Sequence, residues 1–548
     1  MPGAVDAKAG SPAPNSLKSI VIACAAPALV LLAVVVPFLR FHEYDLLLPE
    51  SLLLIAGAAA VGGTVGALSR LRPETLGPAL MVVTLGVYIL YCRKIIAALI
   101  HASEWVAGET GNVGMALGAF GAILFITGCA VCWLLRRNLD LIVATVFGTI
   151  VLSSIVLPTA TGGEAAETGS LPAKLNIDLP PLVHIVLDEQ VGLAAMPKEF
   201  PASATAAKRV EETYKDFALY SRAYSRFELT QNALASLVNE SSGADVLELI
   251  DTHDYGYTLR KNEWFELLKT RGYAIKVYDT PWLDLCDGYD VEDACYTYPM
   301  HSPNPLQRSA LSTSERLRFL LGALYIGKVP TLPSPPAASE ALARFQSDLA
   351  AAPRGVAYFV HLLLPHYDYV YKSDCSLGDP DSWQTQPGHE EIPSSKEARQ
   401  VAYTLYMDQV ICTDRLMRAL FDQMKALGIY DEATIIVHGD HGSRIGEHSA
   451  RGPVAKLTDR DLLDYFATLM AFKAPGIRPG IRPEPILLQQ AFGELFLGRA
   501  PAPTDINVLI ARGDGSFAAR TLTWPDFPSD GHDQQGVAAR QDLRPTVQ

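Results

Sequence analysis

The 548-residue sequence has no long run of basic residues and no zinc-finger spacing of cysteine and histidine. Its formal net charge is −14, and the acidic excess lies mainly after residue 158. A protein that binds nucleic acid needs a basic surface for the phosphates. The composition therefore argues against a nucleic-acid partner.

Charge is also scarce between residues 16 and 158, which form a series of apolar stretches. A membrane-spanning helix needs roughly 20 mostly apolar residues. Five stretches qualify, at 20–39, 52–68, 76–91, 113–135 and 141–157, the third being short unless it continues through 95–100. The first is too long for a signal peptide and lacks a cleavage site. We predict a five-helix transmembrane domain over residues 1–158, with no sign of an ion path.

Lysine and arginine in short loops set the orientation of membrane helices. Such residues flank the predicted spans at Lys8, Lys18, Arg70, Arg72, Arg136 and Arg137. If these positions are cytoplasmic, an odd number of spans places the rest of the chain outside. Arg93 and Lys94 do not fit unless they snorkel from a helix end. We predict a multi-pass protein of the bacterial inner membrane, with a periplasmic or extracellular catalytic domain.

Cysteine is sparse after the apolar third, where only Cys286, Cys295, Cys375 and Cys412 occur. An even number suits two disulfides in an oxidising compartment. Of the three pairings, we favour Cys286–Cys295 with Cys375–Cys412, since it makes the shortest loops. Four unpaired buried cysteines is the alternative.

The rest of the chain alternates between two kinds of segment. Compact apolar runs predict buried strands at 182–187, 273–278, 356–364, 434–437 and 466–472. Runs with helical spacing lie between them, at 203–217, 264–271 and 396–427. Strands that alternate with helices favour an α/β fold with a largely parallel sheet. We predict a linker at 159–181, a catalytic domain at 182–500, and a C-terminal extension at 501–548 with a disordered end.

Two predicted strands end in side chains that can bind a metal. Asp188 and Glu189 follow the first strand, and Asp440 and His441 follow a later one. Ligands of open α/β sheets bind at the carboxyl ends of strands. Oxygen and imidazole ligands suit zinc or manganese. The alternatives are a helix N-cap for Asp188 and a simple turn for Asp440-His441-Gly442.

Four segments together resemble motifs of the alkaline phosphatase/sulfatase superfamily. The segment 184–189 resembles its first metal-ligand strand, and 227–237 its nucleophile segment, in which Thr, Ser or Cys opens a helix. The segment 361–369 is similar to a strand that ends in a Pro-His pair at the substrate. The segment 439–448 resembles the Asp-His-Gly…Gly-Glu motif. The apolar spans ahead of such a domain resemble the lipoteichoic acid synthase and phosphoethanolamine transferase branch.

The resemblance implies a sulfatase-like catalytic domain with one divalent metal ion, manganese or zinc, with magnesium as a further candidate. The implied ligands are Asp188, Thr230, Asp440 and His441. Thr230 is the implied nucleophile, and His366 the residue that contacts the phosphate or protonates the leaving group. Implied substrate-binding residues are Glu189, Arg444 and His448. The plain alternatives are an N-cap role for Thr230 and a turn histidine for His366.

The resemblance further implies a phosphotransferase that moves a phosphoglycerol or phosphoethanolamine type head group from a membrane phospholipid. The acceptor is an envelope glycan or lipid, reached through a phospho-threonine intermediate. The sequence lacks the Cys-x-Pro-Ser-Arg or Ser-x-Pro-Ser-Arg segment of formylglycine sulfatases, which argues against ordinary sulfate-ester hydrolysis. Two alternatives stay open: an extracytoplasmic phosphodiesterase or sulfatase-like ester hydrolase, and a non-catalytic envelope assembly protein.

Overall fold

The computed structural model describes residues 17–41, 44–91, 126–127, 130, 134–135, 138–156, 165–196, 200–239, 249–251, 256–286, 291–300, 312–326, 334–379, 395–450, 454–497, 506–512 and 516–522. The chain divides into two compact units. One comprises residues 1–161 and 306–331, and the other comprises residues 162–305 and 332–548.

The helices are α1 (Leu17–Phe41), α2 (Pro49–Ser69), α3 (Leu76–Tyr91), α4 (Leu139–Val156), α5 (Pro201–Thr213), α6 (Thr230–Val238), α7 (Glu263–Thr270), α8 (Thr313–Ile326), α9 (Ser334–Ala351), α10 (Lys396–Ala426), α11 (Asp459–Phe466) and α12 (Leu488–Leu497). The strands are β1 (Ala166–Gly169), β2 (Leu182–Leu187), β3 (Ala218–Tyr224), β4 (Leu249–Asp251), β5 (Tyr257–Leu259), β6 (Ala274–Asp279), β7 (Leu283–Asp284), β8 (Ala294–Thr297), β9 (Val356–Leu362), β10 (Thr434–Gly439), β11 (Ala467–Lys473), β12 (Gly480–Arg482), β13 (Ile486–Leu487), β14 (Ile506–Ala511) and β15 (Phe517–Leu522).

The first unit contains the apolar helices. Among the described residues, three helices are long and apolar enough to cross a membrane: Ile20–Phe41, Pro49–Ser69 and Leu139–Val156. Helix α3 also forms at its predicted position, but its 16 residues are fewer than a typical span needs. The predicted span at 113–135 lies almost wholly outside the described residues, as does 95–100. The three long helices indicate a membrane-anchored chain.

Small residues let α1 and α2 pack backbone to backbone. A Cβ at Gly62 would lie 2.3 Å from Ala28 Cα, and one at Gly66 would lie 2.5 Å from Cys24 Cα. Such close approach is typical of packed membrane helices. Helix α8 also belongs to this unit, and its Arg316 Nε lies 2.8 Å from the buried Glu50 Oε1 of α2. Nothing in the sequence indicated this grouping of α8.

The second unit contains a ten-stranded sheet in the order β1-β8-β6-β9-β2-β10-β11-β3-β12, with β13 also paired to β3. Strands β8, β6, β9, β2 and β10 are parallel, whereas β11 is antiparallel to both its neighbours. The predicted α/β fold with a largely parallel sheet is confirmed. Strand β3 was not predicted, and the helix predicted at 203–217 ends earlier, at Thr213.

The sheet is covered on both faces. All six residues of β2 are buried, and they alternate between two apolar clusters. Val183 packs with residues of α5, α9 and α10, whereas Val186 packs with residues of α6, α7 and α12. Burial on both faces explains why β2 reads as a continuous apolar run rather than an alternating one.

The register of the central strands fixes where their side chains emerge. Leu187, the last residue of β2, is paired with Gly439 of β10 and with Leu362 of β9. The residues that follow these three strand ends therefore leave the sheet side by side, at its carboxyl edge.

Both favoured disulfides are present, Cys286–Cys295 and Cys375–Cys412. Part of the predicted C-terminal extension is ordered, because β14 and β15 form a two-stranded antiparallel sheet. The tail after Trp524, where we predicted disorder, lies outside the described residues.

Candidate active site

Two aspartates lie at the carboxyl edge of the sheet. Asp188 and Asp440 directly follow β2 and β10, and both are buried. The backbone N–H of Glu189 donates to Asp440 Oδ1 at 3.0 Å, which joins the two strand ends. The predicted convergence of these carboxylates is what the structure shows.

Thr230 is the first residue of α6, and its side chain points toward the aspartates. Its Oγ1 lies 3.3 Å from Asp188 Oδ2 and 3.2 Å from His441 Nε2. The N-cap of α6 is Leu229, and no side chain caps the helix there. The structure therefore places the threonine hydroxyl among the candidate ligands rather than in a capping role.

The hydrogen bonds of His441 define its tautomer. Nδ1 lies 2.8 Å from the carbonyl oxygen of Gly442, which can only accept, so Nδ1 carries the proton. Nε2 then presents a lone pair, 3.2 Å from Asp440 Oδ2 and 3.7 Å from Asp188 Oδ1. Glycine is required at 442, since a Cβ there would lie 2.3 Å from the carbonyl oxygen of Asp464.

These side chains fit a divalent cation. One ligand atom each from Asp188, Asp440 and His441 lies within 4.8 Å of the others, and all three residues are buried. Within the part of the chain that the structure describes, Asp188 Oδ1 and Asp440 Oδ2 have no hydrogen-bond partner. Buried carboxylate oxygens without a partner are costly unless a cation neutralises them. Oxygen and imidazole donors suit zinc or manganese.

His361 is a site residue that the sequence analysis did not single out. It lies on β9, and its Nε2 is 3.1 Å from Asp188 Oδ2. Burial alone would raise the pKa of Asp188, but the nearby imidazoles of His366, His361 and His441 lower it strongly, so the carboxylate is ionised. The interaction depends on strand register across β2 and β9, which the sequence pattern does not specify.

His366 also reaches the site. It follows the cis Leu364–Pro365 peptide, and its side chain is 20% exposed. Its Nε2 lies 4.0 Å from both Asp188 Oδ1 and Glu189 Oε1. The predicted catalytic histidine therefore faces two carboxylates at the mouth of the site.

Glu189 and Arg444 form an ion pair beside these residues. Arg444 Nη2 lies 2.8 Å and its Nε 3.2 Å from Glu189 Oε1, and the backbone N–H of Tyr367 donates to Glu189 Oε2 at 3.1 Å. Both partners have left-handed backbones, with φ of 63° at Glu189 and 56° at Arg444. Such conformations cluster at functional sites in proteins.

His448 lies apart from this group. Its Nδ1 is 2.9 Å from Asp461 Oδ2, and its side chain is 40% exposed. Among the described residues, it makes no hydrogen bond or ion pair with the four predicted metal ligands. Its predicted role in substrate binding stays a prediction.

A second acidic cluster, of Asp279, Asp284 and Cys286, also has atoms within 4.8 Å of one another. Cys286 is bonded to Cys295, so it offers no thiolate to a metal. Asp279 accepts hydrogen bonds from Leu285 N and Thr297 Oγ1. The cluster is therefore explained by local structure.

No protein-family model matches the sequence, and no curated protein matches it. Solved structures do. A predicted sulfatase from Bacteroides fragilis has a TM-score of 0.39 and 13% identity, over 63% of this chain and 84% of that one. The phosphonate monoester hydrolase of Agrobacterium radiobacter has a TM-score of 0.39 and 13% identity, over 59% and 74%. An alkaline phosphatase superfamily protein from Vibrio parahaemolyticus has a TM-score of 0.36 and 12% identity, over 62% and 75%. These neighbours are, by their names, a sulfatase, a phosphonate monoester hydrolase and an alkaline phosphatase superfamily protein.

Proposed function

We propose that this protein is a metal-dependent phosphotransferase anchored in the bacterial inner membrane. It moves a phospholipid head group, of the phosphoglycerol or phosphoethanolamine type, to an envelope glycan or lipid. The observation that carries the proposal is the placement of the Thr230 hydroxyl between Asp188 and His441. Three apolar helices and two disulfides support a catalytic domain held outside the cytoplasm, beside a lipid donor.

The surroundings of Thr230 support its role as the nucleophile. Asp188 Oδ2 lies 3.3 Å from Oγ1 and can accept its proton, whereas the Nε2 lone pair of His441, 3.2 Å from Oγ1, is the one that would bind a cation. Thr230 also opens α6, and the N-terminus of a helix favours an anionic phosphate. A phosphodiester bound there has its phosphorus next to a hydroxyl with an adjacent base.

In the first half-reaction, Thr230 Oγ1 bonds to phosphorus while the bond from phosphorus to the diacylglycerol oxygen breaks. The proton of Oγ1 passes to Asp188 Oδ2. His366 is positioned to protonate the leaving oxygen: its Nδ1 donates to the Tyr367 carbonyl, and its Nε2 faces two carboxylates.

In the second half-reaction, the acceptor hydroxyl attacks the phospho-threonine and gives its proton to the now neutral His366. The bond between phosphorus and Thr230 Oγ1 breaks, and Oγ1 recovers its proton. A divalent cation held by Asp188, Asp440 and His441, with Thr230, would supply Lewis-acid activation of the hydroxyl and offset the charge on the transferring group. Together, the two half-reactions return Thr230, Asp188 and His366 to their starting states.

The test is turnover of labelled phospholipid by the full chain in nanodiscs with Mn²⁺. We expect diacylglycerol and a head-group-modified acceptor from the wild type, and neither from Thr230→Ala or after chelation. Thr270→Ala is the control, because its hydroxyl only bonds Leu267 O on the exposed side of α7. Release of the head group to water would instead indicate a hydrolase. No turnover with metal bound would contradict the proposal and favour an assembly role.

A further inference from the structure

We propose that Gln409 is a positioning residue that fixes the backbone of residues 365–371 and thereby holds His366 beside Asp188. The inference rests on the proposed function, since the role of His366 belongs to it. Gln409 lies on α10, far from the predicted motifs, and is completely buried.

One side-chain amide serves five backbone groups of the His366 segment. Gln409 Oε1 accepts from Val370 N at 2.8 Å and from Tyr371 N at 3.0 Å. Gln409 Nε2 lies 2.8, 3.1 and 3.3 Å from the carbonyl oxygens of His366, Pro365 and Asp368, so its two hydrogens serve three acceptors and one hydrogen is shared between two of them. Since N–H groups face one end of the amide and carbonyls the other, only one orientation of the amide satisfies them.

The neighbouring turns of α10 hold the same region. Tyr406, three residues earlier, donates to the carbonyl oxygen of Glu189 and accepts from Val191 N. Cys412, three residues later, is bonded to Cys375, which follows the His366 segment. A single face of α10 therefore holds the loop after β2 and the segment after β9 in one frame.

The segment cannot replace these contacts easily. Pro365 and Val370 are buried, so the Pro365 carbonyl and the Val370 N–H would lose these bonds inside the protein. The segment would shift to regain partners, and His366 Nε2 would leave its position 4.0 Å from Asp188 Oδ1. A displacement of about 1 Å can cost roughly 10²-fold in rate.

The experiment compares Gln409→Leu and Gln409→Glu with His366→Ala. Gln409→Glu still accepts from the N–H groups of Val370 and Tyr371 but no longer donates to the three carbonyl oxygens. This variant tests the positioning role if Gln409→Leu does not fold. Gln423→Leu is the matched control, because Gln423 lies on the same helix and only donates to Gln346 O. Transfer is measured with bis(p-nitrophenyl) phosphate, which has a good leaving group, and with phospholipid, which needs protonation of an alkoxide. Mn²⁺ affinity and hydrogen exchange are measured on the same samples.

We expect each Gln409 variant to lose about 10²-fold with phospholipid and only a few-fold with the activated ester, as His366→Ala does. The double variant should lose no more than His366→Ala, and Mn²⁺ affinity should stay unchanged. Equal losses on both substrates, or additive losses, would overturn the proposal. If the wild type turns over neither ester, the proposed function fails. The positioning role is then judged by exchange alone, and unchanged exchange at Val370 and Tyr371 in Gln409→Leu would refute it.

Discussion

The hydroxyl oxygen of Thr230 lies 3.2 Å from Nε2 of His441, although 211 residues separate the two in sequence. The contact joins the start of α6 to the loop after β10. Neither residue is near the other by local structure, so the register of the sheet and the packing of α6 create the contact. The predictions below test this arrangement and the groups that support it.

Replacing Asp440 by asparagine should weaken metal binding. Asp440 offers a buried carboxylate oxygen with no hydrogen-bond partner among the described residues, and the asparagine amide removes its charge. Loss of a residue that only hydrogen-bonds to a metal ligand raises a metal dissociation constant by roughly 10–100-fold. We expect loss of Asp440, a ligand itself, to raise the Mn²⁺ dissociation constant by more than that. Asp414→Asn is the control, since Asp414 is a buried aspartate that faces Arg418 on α10. Equal calorimetric titrations for both variants would show that Asp440 is not a ligand.

The ion pair of Glu189 and Arg444 gives a second prediction, on stability. Arg444→Met leaves the fully buried Glu189 carboxylate without its cation, which should reduce the free energy of unfolding by about 3–5 kcal/mol. Adding Glu189→Gln to this variant removes the uncompensated charge and should recover part of the loss. Chemical denaturation of the single and double variants in detergent measures both effects. Additive losses would mean that the two side chains do not interact.

The C-terminal strands should support the nucleophile segment. The rings of Phe227 and Phe517 lie 5.3 Å apart, and Ala511 N donates to Glu228 Oε1 at 2.7 Å, just before Thr230. Phe517→Ala should cost about 1 kcal/mol of stability and slow transfer. Thr521→Ala, at an exposed position of the same strand, should change neither. Equal transfer rates for the two variants would show that β15 does not support the nucleophile segment.

Acid should destabilise the fold through His184. Its Nε2 lies 2.8 Å from Nε2 of His438, and burial, with a smaller effect of His438, holds the pKa of His184 well below its usual value. Below about pH 6.5 the unfolded chain protonates His184, whereas the folded chain keeps it neutral. The contribution of His184 to the free energy of unfolding is therefore fully present above pH ~6.5 and is lost as pH falls. His184→Leu should reduce the slope of unfolding free energy against pH by up to about 1.4 kcal/mol per pH unit. Unfolding between pH 8 and 5 with chelator present checks this, and parallel profiles would contradict it.

The sequence predicted those features that are local. The apolar run of β2 and the acidic residues after it indicated a buried strand and a ligand, and the Asp-His-Gly motif indicated another. The contact of His361 with Asp188 depends on the pairing of β9 with β2, which no local pattern specifies. Gln409 lies inside a long amphipathic helix, where a buried glutamine gives no sign of its partners. The grouping of α8 with α2 was not predicted, because the ion pair between Arg316 and Glu50 joins residues that are far apart in sequence.

The measurement that tests the central claim most directly is intact mass with peptide mapping, after incubation of the protein with Mn²⁺ and mixed bacterial phospholipids. The account predicts a head-group phosphate adduct on Thr230, whose mass identifies the group, and no adduct in Thr230→Ala. Turnover of phospholipid without any adduct on Thr230, or with full activity in Thr230→Ala, would contradict the account.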